Sequence, residues 1–269
     1  MDSKSRNVWI VIIVVLVIAC CCVLALAGGA AVWLASRYAE RGIEPFDLDG
    51  EYRERVEKTL AVSDAPSLEI TNFAGSITIR AGEGDEVRIV ATKKASSQNR
   101  LNRIEFGASE ANGQVVIETE KSFTTGNASV ALEITAPADS RVDLHTGAGE
   151  VEVRDITGRL DIHSGAGTID VRGAQGTARF ELGAGQITYE GVPSGDCRFQ
   201  TGAGEIILRL PEDSNLRIDL GTGMGAVEVD FDVDGRVSQR SAEGVIGDGH
   251  QGSVFAHTGV GGISVRLRY

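Results

Sequence analysis

Apolar and polar residues alternate along residues 141–214, and this alternation recurs in four consecutive copies. The copies are 18, 18, 19 and 19 residues long and read RVDLHTGAGEVEVRDITG, RLDIHSGAGTIDVRGAQG, TARFELGAGQITYEGVPSG and DCRFQTGAGEIILRLPEDS. Alternation with a period of two predicts strands with one buried face, and a fixed repeat is typical of stacked coils. The pattern therefore predicts an all-β fold, a single-stranded β-solenoid or β-helix with coils of about 18 residues.

When the copies are aligned, their apolar residues fall into columns that we expect to be buried. Two such columns lie on either side of a Gly-Ala-Gly segment. The column before it is Leu144, Ile162, Phe180 and Phe199, and the column after it is Val151, Ile169, Ile187 and Ile206. A Gly-Ala-Gly segment between them predicts a tight corner, because glycine tolerates positive φ angles. The corner glycines are Gly147, Gly149, Gly165, Gly167, Gly183, Gly185, Gly202 and Gly204. We expect the alanine between them, such as Ala148, to point into the interior.

The same pattern extends on both sides of the four copies, so residues 67–269 are predicted to form one solenoid domain. Residues 68–84 align with residues 142–158 at a constant offset of 74, which predicts a first coil there. Residues 85–139 alternate less regularly and fit either longer coils or a β insertion. Residues 254–267 form a clear last copy close to the end of the given sequence. We expect this copy to be an exposed terminal coil and a surface for self-association.

The N-terminal part predicts a membrane anchor. After a short tail at residues 1–7, the run Val8–Leu34 is almost entirely apolar, which predicts a single transmembrane helix at residues 8–35. A cleaved lipoprotein signal ending before Cys20 is the alternative. Residues 36–66 are polar and predict a juxtamembrane stalk, with a short charged helix at Asp49–Leu60. The short N-terminal tail favours a C-terminal domain on the extracytoplasmic side of the cell membrane.

Charge and cysteine content narrow the function classes. The formal net charge is −12 and the chain has no basic cluster, which argues against nucleic-acid binding. Cys197 is the only cysteine outside the apolar run, so the domain is predicted to lack an internal disulfide. Cys197 falls in the buried column of Val142 and Leu160, where we expect a small apolar side chain. No spacing of a cofactor or metal motif is present, and no cofactor is predicted.

Two outward columns carry the only candidate chemistry. His145 and His163 occupy the same position of adjacent copies and should lie about 4.8 Å apart, which makes them weak candidates for a shared metal ion. Asp143 stacks on Asp161 in the same way, and stacked carboxylates serve as acid and base in some polysaccharide-cleaving β-helix enzymes. General acid catalysis needs a raised pKa and hence a groove or burial, and nothing in the pattern predicts a groove. We therefore predict no catalytic residues and no metal site, and the chain is not expected to be an enzyme.

One further indication is a resemblance to a known family. The apolar N-terminal run, the segment LEITNFAGSITIRAGEGDEVRIVATKKAS and the segment EITAPADSRVDLHTGAGEVEV, followed by Gly-Ala-Gly coils, resemble the "putative adhesin" family DUF4097. The resemblance covers residues 68–269 and implies a membrane-anchored bacterial β-solenoid with a binding or scaffolding role in the cell envelope. It implies no catalytic residues. The partner would be an unknown protein or envelope polymer. An envelope-stress sensor that signals to a membrane partner is the main alternative, and a carbohydrate-active enzyme is a further one.

Overall fold

The structure, a computed structural model, describes residues 51–63, 65–124 and 126–268. This part of the chain contains seventeen β-strands and one four-residue helix, α1 (Gln98–Leu101), which confirms the predicted all-β class. Within these ranges, no helix has the length and apolar character needed to cross a membrane. The predicted tail at residues 1–7, the membrane helix at residues 8–35 and residues 36–50 of the predicted stalk lie outside the described residues.

The strands of the described part follow one another with short connections. In chain order they are β1 (Tyr52–Ala61), β2 (Ser67–Asn72), β3 (Ile77–Gly82), β4 (Glu86–Ala95), β5 (Ile104–Ala111), β6 (Gln114–Lys121), β7 (Ala128–Pro137), β8 (Arg141–Arg154), β9 (Leu160–Gly176), β10 (Ala178–Pro193), β11 (Gly195–Leu210), β12 (Leu216–Met224), β13 (Val227–Val229), β14 (Asp234–Val237), β15 (Ser241–Ile246), β16 (Gly252–Val260) and β17 (Ile263–Leu267).

Strands β8 to β11 contain the four repeat copies, and each pairs with the next in parallel. The register aligns equivalent positions, so that Leu144 lies beside Ile162 and Ile162 beside Phe180. Both predicted columns are buried, with exposed fractions of 0 or 1% at Leu144, Ile162, Phe180, Phe199, Val151, Ile169, Ile187 and Ile206. Because equivalent positions are in register and neighbouring strands lie about 4.8 Å apart, equivalent side chains form straight rows along the stack, as far as Glu190, where the register of β10 with β9 shifts.

Each of these four strands bends at its Gly-Ala-Gly segment and contributes to two walls. We call the residues before the bend, together with β6, β2, β16 and β12, the first wall. The residues after the bend, together with β7, β3, β17 and β13, form the second wall.

The neighbouring coil excludes a side chain at the corner glycines. A Cβ atom on Gly167, where φ is +125°, would lie 1.9 Å from the carbonyl oxygen of Gly149. Gly149, Gly185 and Gly204 meet the preceding coil in the same way, at 2.0, 1.8 and 1.6 Å. Glycine is therefore needed both for its φ angle and for the close approach of two backbones.

The prediction that the corner alanine points inward is wrong. Ala148 is exposed, and its counterparts Ala166, Ala184 and Ala203 are exposed as well. The inward position belongs to the residue before the first corner glycine, which is Thr146, exposed by only 7%. The period-two alternation continues from Leu144 to Thr146 and then breaks at the bend, so the next inward residue is Val151.

Strands β2 and β3, which make up the predicted first coil, pair with β8 at the offset of 74 that the sequence predicts. Leu68 pairs with Val142 on the first wall, and Ile77 pairs with Val151 on the second. On the other side of this coil, β6 pairs in parallel with β2 and β7 with β3, so residues 114–137 supply one more layer of the stack. Strands β4 and β5 pair antiparallel with β7 and β6. Residues 85–139 thus contribute two strands that pair in parallel with β2 and β3, and two that pair antiparallel with those.

The predicted charged helix within Asp49–Leu60 is wrong for its described residues, and the predicted stalk does not extend through them. Residues 52–61 form β1, which pairs antiparallel with β4 over its whole length. Val56 and Leu60 are its two partly buried residues. Their spacing of four fits both a helix and a strand, and pairing with β4 selects the strand. The many charges of β1 suit an edge strand, which they protect from pairing with another chain.

The last repeat copy is not a terminal coil, contrary to the prediction. Strand β16 pairs in parallel with β11 on one side and with β12 on the other. Strand β17 likewise lies between β11 and β13. The order in space therefore differs from the order in the chain. Strands β16 and β17 lie between β11 and the pair β12 and β13, although they come after both in the sequence. Strand β14, which pairs only with β15 among the described strands, occupies this end of the first wall.

Candidate functional site

The two predicted histidines lie together on the outer side of the first wall. The parallel pairing of β8 and β9 places His145 beside His163, with stacked rings whose centroids are 4.8 Å apart and whose planes differ by 8°. Adjacent strands continue the row with Thr71 on one side and with Glu181 and Gln200 on the other. These five residues, the first glycine of each Gly-Ala-Gly corner and the residues just before those glycines line a shallow groove of about 610 Å³, which we call the histidine groove.

Three of the four ring nitrogens of His145 and His163 lie within 3.3 Å of a carboxylate oxygen. The His163 ring lies 2.9 Å from Asp161 through Nε2 and 3.3 Å from Glu181 through Nδ1. The Nε2 atom of His145 lies 3.1 Å from Asp143. A metal ion bound between the rings would have to displace these contacts at His163. In the described part of the chain, no group of three or more His, Cys, Asp or Glu residues could hold a metal ion.

Of the two stacked carboxylates that the sequence singles out, Asp161 lies 3.1 Å from the Arg159 guanidinium, and Asp143 contacts His145. On the second wall, Asp170 lies 2.7 Å from the guanidinium of Arg172. The hydrogen bond and the charge of Asp170 raise the pKa of Arg172. A hydrogen bond from Arg179 lowers the pKa of Glu181, and the charge of His163 lowers it further. General acid catalysis at neutral pH requires the opposite shift at a carboxyl group.

A row of small polar side chains lies buried beneath the histidine groove, and the sequence analysis missed it. Its polar members are Asn72, Thr146, Ser164, Thr201 and Thr258, and Leu182 lies between Ser164 and Thr201. All of them except Asn72, which precedes Phe73, come directly before the first corner glycine. The Ser164 hydroxyl donates to the carbonyl of Ala166 at 3.3 Å, and the Thr258 hydroxyl donates to that of Gly204 at 3.1 Å. The recurring Thr or Ser before Gly in HTGAG, HSGAG and QTGAG was the available signal. The Ser164 contact supports the bend of β9 next to His163, whereas the buried hydroxyls of Thr146 and Thr201 have no hydrogen-bond partner among the described residues.

Cys197 lies in the interior, in the same column as Val142, Leu160 and Ala178. Its side chain is 1% exposed, and its Sγ atom lies 3.5 Å from the carbonyl oxygen of Gly176. Burial raises the pKa of the thiol to about 11. Because the thiolate is the reactive form, Cys197 is poorly suited to nucleophilic chemistry.

Comparisons with known proteins give similarities of low identity. No family model matches the chain, and no curated protein matches it. A "putative cell adhesion protein" from Clostridium sporogenes is similar over 80% of this chain and 100% of its own, at 16% identity and a TM-score of 0.48. A "putative adhesin" from Bacteroides fragilis is similar over 79% of this chain and 97% of its own, at 11% identity and a TM-score of 0.43. A "putative lipid binding protein" from Parabacteroides distasonis covers 80% of this chain and 97% of its own, at 9% identity and a TM-score of 0.32.

Proposed function

We propose that this chain is a membrane-anchored β-solenoid of the DUF4097 type, whose extracytoplasmic domain binds components of the cell envelope without catalysing a reaction. The observation that carries the proposal is the parallel register, which repeats each outward position in straight rows along the first wall. An extended partner can contact one row over several coils, and stacked repeats commonly provide extended binding surfaces of this kind. Many weak contacts along a row then add up to useful affinity.

The electrostatics of the first wall favour binding over catalysis. Asp161 and Glu181 each contact both an arginine and a histidine, so their charges are held in fixed positions on the outer side. The lowered pKa of Glu181 keeps it ionised at neutral pH, when it accepts hydrogen bonds but donates none. Such a surface can recognise hydroxyl and cationic groups of a partner.

The binding proposal is tested by sedimentation of the purified full-length protein with isolated, protein-free envelope polymer. We expect saturable cosedimentation of the folded protein and no cosedimentation of a heat-unfolded control. We also expect no new reducing ends in the supernatant. Absence of saturable binding would overturn the binding role, and release of reducing ends would show an enzyme instead.

The anchor proposal rests on the apolar run Val8–Leu34 and has a test of its own. Alkaline extraction of membranes should leave the full-length protein in the pellet, and protease added to intact cells should digest the domain. Extraction into the supernatant would contradict an integral anchor. Protection of the domain in intact cells, with digestion after lysis, would contradict the extracytoplasmic orientation.

A further inference from the structure

A second groove crosses the outer side of the first wall. The histidine row lies between this groove and the Gly-Ala-Gly corners. Its volume is about 550 Å³, and it spans β9, β10, β11, β16 and β12 in their spatial order. Four exposed arginines line it, Arg159, Arg179, Arg198 and Arg217, together with the ring of Phe255. We call it the arginine groove. Five strands at about 4.8 Å spacing make it about 19 Å long, enough for several units of a linear polymer.

The arginines differ in their partners. Arg159 and Arg179 are paired with Asp161 and Glu181, at 3.1 and 2.9 Å. Among the described residues, neither Arg198 nor Arg217 takes part in a salt bridge. Their guanidinium groups therefore have N–H donors available for an anion that enters the groove.

Phe255 holds one of these arginines in position. The guanidinium carbon of Arg198 lies 4.5 Å from the centroid of the Phe255 ring. The other neighbour of this ring is His257, at a centroid distance of 4.0 Å and an angle of 11° between the planes. A guanidinium that stacks on an aromatic ring keeps its N–H edges free and loses less conformational entropy on binding. Arg198 is thus prepared to bind an oxyanion with two hydrogen bonds.

Two carboxylates in the same groove narrow the class of ligand. Asp196 accepts a hydrogen bond from Ser253 at 2.6 Å, and Asp219 lies 3.1 Å from His257. DNA carries a phosphate on every unit and has no hydroxyl donors beside it, so both carboxylates would repel it. The net charge of −12 on the protein adds to this repulsion. An acidic polysaccharide offers acid groups to the arginines and hydroxyl donors to the aspartates.

We propose that the arginine groove binds an acidic polysaccharide, with Arg198 and Arg217 holding its acid groups and Phe255 positioning Arg198. This inference rests on the proposed binding function, for which it names the site and the class of partner. Because the arginine contacts are electrostatic, salt should weaken the binding. The acid group is a carboxylate or a sulfate ester, which share the oxyanion chemistry that arginine recognises.

The test is calorimetric titration of the purified full-length protein with polygalacturonate, dextran sulfate, neutral dextran and oligodeoxythymidylate. We expect binding of at least one of the two acidic polysaccharides, and the comparison of these two identifies the acid group. We expect dextran and the oligonucleotide to bind at least about tenfold more weakly, because each lacks one of the two kinds of partner group. Equal binding of dextran, or tighter binding of the oligonucleotide, would overturn the proposal.

Variants locate the site. Arg198→Gln and Arg217→Gln should each weaken binding by about tenfold, since each removes a charge-assisted contact. The matched control is Arg209→Gln. Arg209 is on the same strand as Arg198 but on the outer side of the second wall, so this variant should bind polysaccharide like the unaltered protein. Thermal unfolding of each variant checks that the fold is kept. Unchanged binding by the Arg198→Gln, Arg217→Gln double variant would refute the site.

The two proposals can fail separately. If envelope polymer retains the protein while neither acidic polysaccharide binds, the binding function stands and the assignment of the arginine groove is wrong. If neither experiment shows binding, both proposals are wrong.

Discussion

At the residue scale, the corner glycines give the sharpest test of the stacking. Gly167 and Gly84 both have positive φ angles, +125° and +90°, but only Gly167 is crowded by a neighbouring coil. Gly84→Ala should lower stability by about 1–2 kcal/mol, the usual cost of a left-handed backbone for a residue with a Cβ atom. Gly167→Ala should lower it by about 1–3 kcal/mol more, because the new Cβ atom overlaps the carbonyl of Gly149. Urea unfolding followed by circular dichroism measures both, and equal losses would contradict the close approach.

Cys197 gives a pH-dependent prediction. Burial raises the pKa of its thiol in the folded state from 9.0 to about 11. The neutral thiol therefore contributes to the free energy of unfolding. This contribution is complete below about pH 9, the pKa of the thiol in the unfolded state, and is lost as the pH rises towards 11. Unfolding measured from pH 8 to pH 11 should therefore show a steeper loss for the unaltered protein than for Cys197→Ala, by up to about 1.4 kcal/mol per pH unit. Other titrating groups are common to both proteins, so parallel curves would show that the thiol is not buried.

At the scale of the elements, part of the fold could be predicted because its information is local. The offset of 74 between residues 68–84 and 142–158 fixes the first coil, and the alternation around Leu144 fixes which side chains are buried. The fold of Tyr52–Ala61 could not be predicted, since the spacing of Val56 and Leu60 suits both a helix and a strand. Its partner β4 decides the outcome, and that contact is not encoded within the segment.

The arginine groove could not be predicted for a related reason. Arg179 and Arg198 share one row of the repeat, but Phe255 reaches Arg198 only because β16 inserts between β11 and β12. Had the coils stacked in chain order, β12 would have lain beside β11 and placed Asp219 next to Arg198. All repeat copies offer similar pairing edges, so the sequence does not indicate which copies become neighbours.

The insertion of β16 predicts a pattern of amide hydrogen exchange. Strand β16 is paired on both sides, whereas β14 is a short strand with one partner among the described strands and four exposed residues. Amides of β16 should exchange about a hundredfold more slowly than those of β14, and at rates similar to those of β9, because buried central strands open rarely. Mass spectrometry of exchanged peptides can measure this. Fast exchange in β16 would show that the last copy is a terminal coil after all.

For the whole molecule, the structure changes the expectation about self-association. Both edges of the last copy are paired with other strands, so it offers no free strand edge to a second molecule. In the described part of the chain, the walls end in strands that carry charges, with Asp234 and Arg236 on β14 and Glu228 on β13. Short, charged end strands oppose pairing between molecules. We therefore expect these ends to keep the protein monomeric.

This expectation has a test with a matched control. Asp234→Val combined with Arg236→Val removes both charges from the end strand β14, leaves the net charge unchanged, and should produce species that grow with concentration in sedimentation velocity. Asp170→Val combined with Arg172→Val removes the same two charges from β9, which is paired on both sides, and should leave the protein monomeric. Concentration-dependent assembly of the unaltered protein would contradict protection by the end strands. If only the β9 variant assembled, the charges that prevent association would lie on the outer faces of the walls and not on the end strands.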